Sequence, residues 1–382
     1  MKTIINSWWC HHLVRFSVFS IAIIFIVGVA GCGPISTEIR DWYDLDAVSE
    51  NMRGSYILMN HLDSTTAGYE ELAGPTANGG KGWQPIAANS TFVGSFDGQG
   101  YWIFDLFINR PDESDVGLFG VVETGGVIEK VHVANGNLNG YEGVGSLVGY
   151  NRGTVSNCYA DSNVAGNLHV GSLVGVNGGT VNNSHSSSSV TGGNSIGGLV
   201  GKNEGTVSTS YSSGIVNGND FVGGLAGKNE GTVSNSYSIG TVAGNDFVGD
   251  LVGFNGGTVS NSYASSNVIG SNFVGGLVGK NEGVVSKCYS TGNVTGDEHA
   301  GGLVGQNVYG VVSNSFWDTQ TSGQGSSDGG TGKTTVEMQD ITTFTDVGWN
   351  ITAVDPGETV PGCTWNIVNT VIYPLLSWQS VV

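Results

Sequence analysis

Three residues in the early part of the chain, Asp97, Asp105 and Arg110, have the types needed for acid–base chemistry. Two carboxylates flanking a glycosidic bond can divide the roles of proton donor and base. These three are the only candidates for catalysis, and no catalytic residue is assigned. Asp112, Glu113 and Asp115 could take a divalent cation weakly, but a solvated turn accounts for them as well, and the turn is the expectation. Lys202, Lys228 and Lys280 each stand two residues before Glu204, Glu230 and Glu282. That spacing makes a surface charge ladder, not a focused site, and such pairs contribute little individually. No metal site and no cofactor is expected.

Two glycine motifs point to nucleotides and fail. Gly329-Gly330-Thr331-Gly332-Lys333-Thr334 has the second half of a phosphate-binding loop, but Ser327 stands where the pattern needs Gly. The stretch before it, Ser322 to Asp328, is a loop and not a buried strand. The recurring Gly-Gly-x-x-Gly is followed by no helix. The formal net charge is −19 at pH 7, with only 13 Lys and Arg, so a duplex nucleic acid would be repelled.

The elements that position these residues follow from one internal repeat. Leu147, Leu173, Leu199, Leu225, Leu251, Leu277 and Leu303 fall 26 residues apart, and so do Asn151, Asn177, Asn203, Asn229, Asn255, Asn281 and Asn307. A period in this range is the mark of a solenoid. The units are rich in Gly, Val, Ser, Thr and Asn, which are poor residues for a helix interior. Short apolar blocks punctuated by Gly, Asn and Asp read as short strands joined by turns. The reading is three strands per coil, stacked as parallel sheets in an all-β, parallel β-helix of about seven regular coils. Four apolar columns begin at Val144, Leu147, Val155 and Val164. One coil cannot hide them, but its neighbours on both sides can. Leu147 and Val148 are adjacent and both apolar, so which of them faces inward stays open.

The seven Asn are expected to form a structural ladder, each amide bonding the one above and below. A further column, Tyr159, His185, Tyr211, Tyr237, Tyr263, Tyr289 and Phe316, is flanked by small residues. Either the rings stack inside with the small residues outside, or the reverse. Stacking as structure is preferred. An exposed Tyr159, Tyr211, Tyr237, Tyr263 and Tyr289 stripe would be a candidate contact for carbohydrate or protein.

The unit, with Gly198-Leu199-Val200-Gly201 followed by Asn203, Gly205, Val207 and Tyr211, resembles the GLUG motif. The resemblance implies a right-handed parallel β-helix on a bacterial or archaeal cell surface. GLUG repeats also lie beside the catalytic part of immunoglobulin A-specific metallopeptidases, which need a His-Glu-x-x-His zinc helix. None of His61, His132, His169, His185 or His299 has that spacing, so peptidase activity does not carry over.

Residues 1–31 read as a signal peptide. The apolar run Ile21 to Ala30 is short for a membrane span. It ends in Val29-Ala30-Gly31-Cys32, which looks like a lipobox, so Cys32 is expected to carry lipid. Residues 32–90 read as an N-terminal cap and loop, 91–143 as degenerate coils, 144–317 as the regular array and 318–382 as a C-terminal cap. Trp317, Trp349, Trp365 and Trp378 suit a plug over the last coil. Cys158 and Cys288 stand five coils apart, about 24 Å at about 4.8 Å per coil, too far for a disulfide. The functional expectation is a non-catalytic, extracytoplasmic, lipid-anchored module for adhesion, binding or spacing, with a glycan or a surface or matrix protein as partner. A polysaccharide-active enzyme and a purely structural envelope protein are the alternatives.

Overall fold

The computed structural model describes residues 36–380. The signal segment and Cys32 lie outside the described residues. Parallel strands stack coil upon coil into a β-solenoid. The coil that opens with Val200 shows the unit: short strands at Val200–Asn203, Thr206–Ser208, Tyr211–Ser212, Ile215–Asn217 and Asp220–Gly223. They belong to three sheets. One holds eight strands from Phe119–Val122 to Val304–Asn307, and a second holds eleven from Thr37–Ile39 to Val311–Ser313. The third wraps the remaining side. Three strands per coil is therefore right for the sheets but not for the segments. Bends at Ser213–Gly214 and Gly218–Asn219 break the third side into short pieces. In earlier coils that side runs nearly unbroken, as in Tyr159–Gly171.

Register is exact along the array. Val155, Val181, Val207, Val233, Val259 and Val285 pair in sequence, then Val285 pairs with Val312 after one extra residue. The valines from Val155 to Val285, the Leu column and the column from Val144 to Val274 are sealed from solvent. Each such side chain stabilises the fold by roughly 1.5–3 kcal/mol. Leu147 and Val148 both point inward. The chain turns a corner at Leu147, before the strand Val148–Asn151 begins, so the strict alternation of a straight strand does not apply there. The Gly that closes each Gly-Leu-x-Gly block has a steric cause. A Cβ on Gly227 would lie 2.4 Å from the backbone of Ser195 and Ile196 in the coil before.

The N-terminal end is closed by continuation of the eleven-stranded sheet. Thr37–Ile39 pairs with Ser55–Leu58, and that strand with Ser95–Asp97. Between them a short helix, Trp42–Asp46, is capped by the Asp41 side chain and buries Trp42 against Tyr69 and Trp83. The stretch 63–90 is more than a loop excursion: Trp83, Ile86 and Ala87 enter the core. Phe92, Phe96 and Phe119 fill the first coils, where the regular units carry smaller residues.

At the other end two segments share the work. Thr331–Lys333 pairs with Phe316–Asp318, and the Ser327 hydroxyl accepts from the N–H of Leu303 and Val304. The glycine motif thus forms a lid strand, followed by Thr334 capping the four-residue helix Thr335–Met338. Residues 334–380 do not plug the end. They fold back along the side of the solenoid, across the outward-facing rings of earlier coils.

Candidate binding surface

The aromatic column settles on the outer face. Trp102 pairs with His132, and the file then runs through Tyr159, His185, Tyr211, Tyr237, Tyr263 and Tyr289 to Phe316. The small flanking residues Cys158, Ala160, Ser184, Ser186, Ser236 and Ser238 point inward and are buried. The choice follows from room: the interior corner holds a thiol or hydroxyl, not a ring. From His185 to Tyr289 the rings stack face to face, with centroids 4.7–5.0 Å apart and planes within 10°.

The C-terminal segment covers the later half of this file. Trp365 is wholly buried beside Tyr263 and Tyr289. The Tyr289 hydroxyl donates to the Pro374 carbonyl at 2.5 Å, and the Gln379 amide donates to the Tyr263 hydroxyl at 2.8 Å. Trp378 lies against Tyr211 and Tyr237. Burial pushes the Tyr237 phenol up to about 12 and raises those of Tyr263 and Tyr289 well above the ordinary value.

The earlier half is open. Trp102, His132, Tyr159, His185 and Tyr211, with Ser187 and Ser213, line a groove of about 290 Å³. Here the regular stacking breaks down: His132 and Tyr159 meet at 85°, and Tyr159 and His185 at 45°. Tyr159 and Ser187 share a hydrogen bond of 2.5 Å between hydroxyls. Burial, and then the neighbouring imidazole, lower the pKa of both His132 and His185, which keeps them neutral at pH 7. The groove therefore offers rings, hydroxyls and imidazole nitrogens, and no charge.

The Asn file runs inside the same coils. Each Nδ2 donates to the next Oδ1, from Asn151 to Asn307, at 2.7–2.8 Å. The same nitrogens reach backbone carbonyls, such as Asn203 to Thr232 at 3.1 Å. From Asn151 to Asn281 these side chains are sealed from solvent, with no face toward a ligand.

A second aromatic file carries no signal in the Gly-Leu-x-Gly core. Phe221, Phe247, Phe273 and His299 stack at 4.9–5.0 Å on another corner. All four have left-handed backbone, with φ of 53–56°, which is costly for bulky residues. The repeated Asn-Asp-Phe-Val at 219–222 and 245–248 was the available clue. Beside it runs the charge ladder. Lys202 bridges Glu204 at 2.6 Å and Glu230 at 3.0 Å, and Lys228 and Lys280 pair with Glu230 and Glu282.

The acid–base candidates do not converge. Asp97 pairs with Lys130, Asp105 accepts from the Ser64 N–H, and Arg110 is buried, donating to the Trp83 carbonyl and to Glu113. Asp112 and Glu113 lie in a register shift within the strand Phe107–Val116, and Glu113 is held by Lys81 and Arg110. No group of three His, Cys, Asp or Glu among the described residues could hold a metal. Cys158 and Cys288 are buried free thiols, pushed up to about 12 by burial, and Cys363 is also free.

Stacked 26-residue coils and their aligned files define a parallel β-solenoid repeat protein. More narrowly, the array carries GLUG repeats: residues 140–165 and 270–295 match the GLUG motif. It is 35% identical over 128 residues to Halomucin of Haloquadratum walsbyi, across 31% of this chain and 1% of that protein. It is 40% identical over 84 residues to an Evansella cellulosilytica protein assigned the name Gly-rich membrane protein, across 21% of this chain and 10% of the relative. The chain thus spans a tenth or less of the length of these relatives. A crystal structure of a Bacteroides ovatus protein assigned as an immunoglobulin A1 protease is similar at 17% identity with a TM-score of 0.49, covering 90% of this chain and 93% of that one.

Proposed function

We propose that the chain is a surface β-solenoid that sits outside the cytoplasm, is held to a membrane by lipid on Cys32, and binds through the open half of its outer aromatic file. The observation that carries this is the uncovered groove between Trp102 and Tyr211 on a rigid, register-locked scaffold. Pockets with rings and a few placed polar groups are the usual form of a binding site. The groove is lined by no carboxylate, so it lacks the acid–base pair that glycoside cleavage needs. The module therefore holds its partner without turning it over. One relative's name refers to a membrane, which agrees with this placement.

Two experiments test the reading. Cells expressing the chain are fed an alkyne-tagged palmitate. Label should appear on the wild type and be absent from Cys32→Ala; equal labelling would sink the anchor. The mature chain is then applied to glycan and matrix-protein arrays beside Ser213→Trp, which fills the groove without touching the core. Retention of all wild-type binding by this variant would exclude the groove as the contact surface.

A further inference from the structure

We infer that the groove takes a neutral, β-linked linear polysaccharide lying along the solenoid axis, with one sugar per coil. This rests on the groove being the contact surface proposed above. The first support is pitch. Trp102, His132, Tyr159, His185 and Tyr211 occupy five successive coils, and the ring centroids from Tyr159 to Tyr211 step by 4.6–4.7 Å. Those four steps span about 19 Å at the usual strand separation. A flat sugar chain joined by β-1,4 bonds advances by nearly one such step per residue, with alternate residues turned over, so each pyranose stays opposite one ring of the file. An extended peptide advances by about 3.3 Å per residue with alternate side chains turned away, and falls out of phase. An α-1,4 chain coils and leaves the line of the file.

The second support is charge. No Lys, Arg, Asp or Glu lines the groove, and its two histidines are held neutral. The chain as a whole carries −19, so a polyanion is repelled at long range and finds no cation at the end of its approach. The third support is the ends. Trp102 stacks on Phe104 at one end, and Trp378, 38% exposed, leans on Tyr211 and Tyr237 at the other. Between these two indoles the hydroxyls of Tyr159, Ser187 and Ser213 and the His185 imidazole supply hydrogen-bond partners at sugar height. Tryptophan combines a large apolar surface with one donor, which suits the C–H faces and the hydroxyl rims of a pyranose.

The test titrates the mature chain with cellohexaose, chitohexaose, maltohexaose and hexagalacturonate by calorimetry, while NMR follows the ring C–H signals of His132 and His185. Cellohexaose or chitohexaose should bind and shift both histidines, with the matching disaccharides about tenfold weaker or worse. Maltohexaose and hexagalacturonate should also fall about tenfold or more behind. Ser213→Trp should abolish binding, and Trp102→Ala or Trp378→Ala should weaken it about tenfold. Equal binding of maltohexaose, affinity independent of length, or no binding by any β-linked probe overturns the polysaccharide. If the arrays then show a matrix protein bound in a groove-dependent way, the contact surface stands and only the ligand class falls. If array binding survives Ser213→Trp, the contact surface itself falls.

Discussion

The outer file of rings meets solvent from Trp102 to Tyr211, while from Tyr237 to Phe316 it forms one wall of a second hydrophobic cluster with Met338, Phe344, Trp349, Trp365 and Leu376. From Tyr159 onward both halves are built by the same repeat, with the same backbone register and the same Asn ladder beneath, while the Trp102 and His132 coils precede the ladder's first rung, Asn151, which stacks on Val122. A repeat can therefore build a surface without deciding its use. Here the decision is made by residues 334–380, which repeat nothing and touch the rings of five coils at once. One interior corner also varies along the array: it holds Ser146, Ser172 and Gly198 under the open half, and Gly224, Asp250, Gly276 and Gly302 under the covered half. Asp250 is wholly buried, accepting from the Ser266 N–H and leaving Oδ1 without a partner.

The largest expected effect comes from emptying the cover. Trp365→Ala removes its central side chain and should cost about 3–5 kcal/mol of the cover's stability. Hydrogen exchange should then rise across residues 349–380 and stay low in the strands from Val148 to Ser286. Uniform loss of protection would mean that the two halves are not separable. Next, the acid under the covered half should make stability depend on pH. Burial lifts Asp250 from the ordinary 3.8 to about 7. A carboxyl with a raised folded pKa favours the native state most at low pH. Stability should therefore fall by a few kcal/mol as pH rises from about 4 to about 7, then level off. Denaturant titrations of Asp250→Gly, which restores the residue found at Gly224 and Gly276, should lose that slope.

A smaller effect sharpens the comparison from below. Asn177→Ala and Asn255→Ala each strip the Oδ1 partner from one buried amide and leave the next Oδ1 unpaired, at about 1–3 kcal/mol. The two should cost the same, because the ladder does not distinguish the halves; a large difference in urea midpoints would refute that. The smallest effect belongs to the open half. His132 and His185 should titrate below the ordinary 6.5. Their contribution to stability is present above that value and is lost as pH falls through the folded pKa. NMR titration reads this directly, and pKa values above 6.5 would contradict the half-buried, neutral groove.

The sequence carried the portion of this architecture that repeats. Val155 and Asn151 each recur every 26 residues, and a strict period leaves one way to stack them. It carried less where side chains must choose a face. Cys158-Tyr159-Ala160 alternates equally well in either sense, and only the room at the inner corner decides. The corner at Leu147 defeated alternation for the opposite reason, since two adjacent residues can both face in where the strand bends. The return of Trp365 and Trp378 to Tyr263 and Tyr211 had no local sign at all, because those contacts join residues more than a hundred positions apart. The Phe221 file escaped because left-handed backbone is ordinarily the place of Gly or Asn, as at Gly143 and Asn157.

The sealed Asn file also bears on how such a rod behaves under tension. Its bonds, like those of the three sheets, run along the long axis, so a pull on the two ends loads the rungs in series, and those outside the cover give way singly. A detached coil of 26 residues can extend to roughly 90 Å, against about 4.8 Å while seated. A solenoid made this way lengthens in steps when it is pulled.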